Sequence, residues 1–165
     1  MAVSLPDRVG GAQPPAGSCG HSLVTVGSDD GTPGWAGPVR EALSAEVQRT
    51  ADRLRSLSEA RLAAAVPPYA SRAGAGRAAA QALAVAAQGI EARAGDAPSR
   101  WRTVPELSDF AVGDQVAVTG HDLLGALAEG PAAAAEPVWS PGGPRPVGAV
   151  VAEAAELLAV VRRLL

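Results

Sequence analysis

Residues 108–129 read SDFAVGDQVAVTGHDLLGALAE, and this stretch is the most informative part of the chain because it combines a helical apolar stripe with polar residues. At about 100° per residue, its apolar residues and two glycines fall on one broad face of a helix. That face comprises Phe110, Val112, Gly113, Val116, Ala117, Gly120, Leu123, Leu124 and Leu127. We expect Ser108 or Asp109 to cap the helix, and the two glycines to allow close packing against the alanine-rich helix before it.

Working outward, three further segments show helical periodicity and are separated by proline- and glycine-rich breaks. They are residues 39–66, residues 70–94 and residues 147–165. The first carries a leucine and valine stripe, the second is mostly alanine, and the last has a continuous valine and leucine stripe. We therefore expect an all-α fold, a compact antiparallel four-helix bundle over residues 39–165.

Residues 1–38 are rich in Gly, Pro, Ser and Asp, which predicts an irregular or disordered N-terminal extension. Bacterial translation can begin at GTG, a codon that otherwise encodes valine, and Val39 opens the first predicted helix. This favours the hypothesis that the natural start lies near Val39. A peptide spanning Cys19 in native material would refute it.

The composition restricts the kind of protein. The chain has no Lys and no Asn, and all 14 of its basic residues are Arg, which is typical of a GC-rich bacterial genome. The net charge of −3 argues against nucleic-acid binding. No apolar run reaches membrane-spanning length, and the lone Cys19 excludes an intrachain disulfide. We expect a cytoplasmic protein that binds neither membranes nor nucleic acid.

Charge is unevenly distributed along the chain. Residues 39–108 carry ten arginines and seven acidic residues, a net charge of +3, whereas residues 109–130 carry four acidic residues and no basic one. Two interpretations remain open. The acidic helix lies beside the arginine-bearing helices, or it offers an acidic docking face to a basic partner.

Six residues are candidates for a ligand- or partner-binding site: Trp101, Asp114, Gln115, His121, Asp122 and Trp139. Asp114 and His121 share a helix edge but lie about 10 Å apart along the axis, too far to ligate one metal ion together. The His121–Asp122 pair is similar to that of metal phosphohydrolases, yet the only other histidine is His21. We therefore predict no metal site, no cofactor and no catalytic residue.

Residues 110–118, FAVGDQVAV, follow a proline-containing loop. This pattern resembles the second-helix motif of DinB-like metal-binding bundles, which include mycothiol-dependent maleylpyruvate isomerases. In that family an aromatic residue, a valine and an aspartate precede a metal-ligating histidine, a position that Val118 occupies here. The resemblance therefore implies a helical bundle that has lost its metal.

Two functions remain in view. The leading hypothesis is a non-enzymatic bundle that mediates protein–protein interaction, regulation or assembly with another protein or a second copy, using the acidic helix and exposed Trp101 and Trp139. Nucleophile-elbow and phosphate-loop motifs are absent from the sequence, which disfavours an enzyme. The alternative is a small-molecule-binding or degenerate DinB-like bundle with a pocket near Asp114, Gln115 and His121. A pocket requires Gln115 or His121 to point inward beside unfilled space.

Overall fold

The computed structural model describes residues 36–96, 98 and 100–165, and in these residues the protein is all-α, as expected. The helices are α1 (Ala36–Arg55), α2 (Glu59–Ala63), α3 (Arg72–Glu91), α4 (Val112–Ala128) and α5 (Val147–Leu164). A short antiparallel hairpin pairs β1 (Pro137–Val138) with β2 (Arg145–Pro146). Val39 lies in the first turn of α1, and the predicted extension before Ala36 falls outside the described residues.

The four long helices form a bundle in which each contacts two others. Helix α4 lies against α1 and α3, and α5 lies against the same two helices. Consequently α1 and α3 are diagonally opposed, as are α4 and α5. The core between them is built from leucine, valine and alanine, with Ile90 added and no aromatic side chain among its fully buried members. No described helix is long and apolar enough to cross a membrane.

Helices α3 and α4 run in the same direction. Near their starts, a Cβ on Gly76 would lie 2.8 Å from Val112, and near their ends Arg93 donates a hydrogen bond to the carbonyl of Glu129. The connection between them therefore returns along the full length of α3. The other consecutive pairs of long helices, α1 with α3 and α4 with α5, run antiparallel as expected.

Two of the three glycines of α4, Gly113 and Gly120, pack against α1. A Cβ on Gly120 would overlap the side chain of Val47, and one on Gly113 would lie 2.9 Å from the carbonyl oxygen of Ala51. The expected close approach exists, but its partner is α1 rather than the alanine-rich α3. That detail of the prediction was wrong, because periodicity identifies a buried face without identifying what covers it.

Helices α1 and α5 run parallel and are joined through Glu46, which is 9% exposed. Its carboxylate accepts hydrogen bonds from Arg162 of α5 at 2.7 Å and from Arg49 at 2.7 Å. Burial raises the pKa of Glu46, but the hydrogen bonds and charges of the two arginines outweigh it and hold that pKa below the ordinary 4.5. The buried carboxylate is therefore ionised and bonded near neutral pH.

The first predicted helix is interrupted. It ends at Arg55, and the Ser56 hydroxyl donates to the carbonyl of Arg53 at 2.7 Å, a local bond of the kind that competes with helix continuation. A separate short helix follows, although Leu57 and Leu62 are buried as the stripe predicted. The expected single helix over residues 39–66 was wrong in continuity but right in its buried face.

The start of the third predicted helix also differs. Residues Asp109–Ala111 form a 3₁₀ turn, and Ser108 makes no side-chain cap hydrogen bond. The Asp109 carboxylate pairs instead with Arg77 of α3. Phe110, placed by its periodicity on the apolar face, is 59% exposed because the 3₁₀ turn lies outside the α-helical repeat.

Candidate functional site

One side of α4 forms an exposed stripe. Its members, here called the α4 outer face, are Asp114, Val118, His121, Asp122 and Gly125, all of which are exposed. Apart from the neighbours His121 and Asp122, successive members are three or four residues apart, which places them on one side of a helix. Val118 is 60% exposed, and Phe110 precedes the stripe at its N-terminal end. The sequence analysis selected the polar members of this face but not its apolar ones.

Two of the four carboxylates in residues 109–130 form ion pairs with arginines of neighbouring helices. Arg55 of α1 reaches Asp114 at 2.7 Å, and this hydrogen bond is the main reason that the pKa of Arg55 is raised. Arg77 pairs in the same way with Asp109. For Asp114 and Asp109 the structure thus supports the interpretation that the acidic helix lies beside arginine-bearing ones. Exposed pairs of this kind contribute at most about 1 kcal/mol to stability.

The other two carboxylates, Asp122 and Glu129, have no ion-pair partner among the described residues. Asp122 also borders an open cleft of about 380 Å³ beside Arg102 and Gln88. The guanidinium of Arg102 is paired with Glu91 rather than with Asp122. The uncompensated negative charge of α4 therefore lies in the C-terminal half of the helix.

Trp101 and Trp139 lie together, but away from the α4 outer face. Both flank Gly89 of α3, where a Cβ would overlap the carbonyl oxygen of Trp139 and approach the ring of Trp101 to 3.6 Å. The Trp139 backbone N–H donates to the carbonyl of Gly89, and its indole N–H donates to that of Gly95 at 3.0 Å. Both residues are half-buried, so the expectation that they are exposed was wrong, while their contact with a partner stays a prediction. They anchor the two long connections onto the end of α3.

Gln115 is buried and faces the connection between α3 and α4. Its side-chain Nε2 donates to the carbonyl of Pro105 at 2.6 Å, while its Oε1 has no donor among the described residues. Gln81 and Gln88 of α3 bind the same connection, and we call these three residues the glutamine triad. Gln81 and Gln88 were not among the candidate site residues predicted from the sequence. Their spacing of two helical turns, as the only polar residues within residues 78–90, was the signal that could have found them.

The three residues expected around a pocket are not gathered about one cavity. Asp114 turns toward α1, Gln115 turns inward toward Pro105, and His121 is exposed. Within the described part of the chain, no group of three or more His, Cys, Asp or Glu side chains could hold a metal ion. The arrangement can supply hydrogen bonds, an apolar contact and negative charge, which are the elements of a binding surface.

Comparison with protein-family models, with curated proteins and with solved structures returns no match for this chain.

Proposed function

We propose that this chain is a non-enzymatic interaction protein that docks a protein partner on the α4 outer face. The observation that carries the proposal is a pair of apolar side chains that are more than half exposed, Val118 on the α4 outer face and Phe110 in the 3₁₀ turn that precedes α4. Exposed apolar groups bordered by polar ones are typical of interaction sites. Polar and charged groups at the rim of such a site confer orientation and specificity.

The charges beside these apolar groups indicate the chemistry of the partner. Asp122 and Glu129 lack described ion-pair partners, so a partner with arginine or lysine around an apolar patch would complement this side of α4. A basic protein is therefore the favoured occupant of this face.

The test is gentle purification of the tagged full-length chain from its own host, followed by native mass spectrometry. We expect a defined complex with a second protein. Asp122→Arg should lower recovery of that protein at least about tenfold, which corresponds to about 1.4 kcal/mol of binding free energy. The matched control is Glu156→Arg, which reverses an exposed carboxylate on α5 and should leave recovery unchanged.

Val118→Ser removes the apolar contact without altering charge and should weaken the same complex. Unchanged recovery with both Asp122→Arg and Val118→Ser would refute docking on the α4 outer face. A monomer that carries a small-molecule or metal mass, with no protein partner, would refute the interaction function itself.

A further inference from the structure

Two glutamines of α3 hold the connection to α4 as a neighbouring β-strand would. Gln88 accepts a hydrogen bond from the N–H of Arg102 at 2.8 Å and donates one to the carbonyl of Arg102 at 3.2 Å. Gln81 accepts from the N–H of Val104 at 2.8 Å and donates to the same Arg102 carbonyl at 3.3 Å. A side-chain amide carries one acceptor and one donor group, like a peptide bond. The two glutamines therefore bind the backbone groups of residues 102–104 and do not depend on the side chains of those residues.

In the third glutamine of the triad, Gln115, the amide donor is bonded within the described residues but the amide acceptor is not. Gln115 donates to the carbonyl of Pro105 at 2.6 Å, but its buried Oε1 has no described donor. Gln88 contacts both the N–H and the carbonyl of Arg102, whereas Pro105 offers Gln115 only a carbonyl because proline has no N–H. Buried acceptors are normally satisfied, so the triad offers one acceptor more than residues 102–105 can fill.

Apart from the triad, the described polar contact of residues 102–105 is the exposed Arg102–Glu91 ion pair at 3.5 Å. Arg102, Thr103 and Pro105 are exposed, and only the Val104 side chain is half-buried. The connection between α3 and α4 is also longer than the distance that it must span. Helix α3 has 20 residues and is about 30 Å long, whereas residues 92–111 could extend to about 60 Å. The segment can therefore leave the triad while both helices stay in place.

We propose that the glutamine triad is a binding site for an extended peptide from another protein. In the free chain, residues 102–105 of the same molecule occupy this site but leave the Gln115 acceptor without a donor. The favoured peptide carries an apolar residue at the position of Val104 and a residue with an N–H at the position of Pro105. Its additional N–H satisfies Gln115 Oε1, which gives it an advantage over the intramolecular segment. This site adjoins the α4 outer face, since Asp122 borders the same open cleft as Gln88 and Arg102, but the proposal does not depend on docking on that face.

The test uses fluorescein-labelled octapeptides of residues 100–107 and the purified full-length chain. One peptide carries Pro105→Ala, and its matched control carries N-methylalanine at that position, which replaces the N–H with N–CH₃. We expect the alanine peptide to bind at least about fivefold more tightly by fluorescence anisotropy. A Val104→Gly chain should bind it more tightly still, because apparent affinity rises with the fraction of open sites.

A Gln115→Met chain should bind the two peptides equally, because the acceptor that distinguishes them is gone. Thermal melts verify that this variant is folded; if it is not, the two peptides on the Val104→Gly chain decide the matter alone. Equal binding of the two peptides to that chain, or no binding of either, overturns the proposal. So does a preference for the alanine peptide that survives Gln115→Met in a folded chain.

Discussion

Gly120 is where α4 packs against the Val47 side chain of α1, and Gly120→Ala tests that contact directly. A Cβ at this position would overlap one methyl group of Val47 and lie 2.7 Å from the other. Val47 is 5% exposed and cannot swing into solvent. Overpacking of this kind costs about 1–3 kcal/mol of the free energy of unfolding.

The matched control is Gly125→Ala on the same helix. Gly125 is exposed, and a Cβ there would meet nothing within 4 Å. Both substitutions gain the same helix propensity, up to about 1 kcal/mol relative to glycine. Gly125→Ala should therefore stabilise the protein, and the difference between the two variants isolates the steric cost at α1.

Thermal unfolding followed by circular dichroism at 222 nm measures this difference. For a domain of this size, 1 kcal/mol corresponds to about 4 °C in Tm, so Gly120→Ala should melt about 4–12 °C below Gly125→Ala. Gly120→Leu should melt lower again. If the two alanine variants share the same Tm, the packing of α4 against α1 described above is incorrect.

Three further predictions follow from the contacts of α3 and α1. Gln88→Ala leaves the Arg102 N–H without its partner, so amide hydrogen exchange at Arg102 should accelerate at least about tenfold; unchanged protection would contradict the triad contact. Because its folded pKa is depressed, Glu46 contributes stability that is present above its unfolded pKa and lost as pH falls through the folded value. Urea unfolding at pH 6 and pH 3 should show a smaller loss for Glu46→Gln than for the natural chain, and equal losses would exclude this carboxylate as the cause. Gly89→Ala drives a Cβ into the Trp139 carbonyl and should lower stability by about 1–3 kcal/mol with a shift in tryptophan emission; a wild-type spectrum and Tm would show that the connection is not anchored there.

The helical class was predictable because the buried faces repeat at helical spacing, and α3 and α5 lie close to their expected bounds. The arrangement of the helices was not. Which face covers Gly113 and Gly120 depends on long-range packing, and neither the periodicity nor the loop lengths distinguish α1 from α3 as their neighbour. The break after Arg55 depends on a serine bond to the local backbone that competes with helix propensity.

The candidate site was predictable only in part. Asp114, His121 and Asp122 share an exposed face, as their spacing implies. The pairing of Asp114 with Arg55 was not predictable, because it depends on the packing of α4 against α1. Gln115 was selected for its polarity on an apolar helix, while its role depends on a carbonyl ten residues earlier. Val118 falls outside the apolar face predicted for this helix, so its exposure was implicit in the spacing, but a single exposed valine carries no functional signal in a sequence.

The diagonal placement of α1 and α3 has a consequence for the order in which the chain acquires structure during synthesis. In the folded chain the first two long helices make few contacts with each other, and α4 lies against both of them. Until residue 128 has emerged, the apolar stripe of α1 therefore lacks the α4 face that covers it, and exposed apolar surface of this kind favours aggregation and chaperone binding.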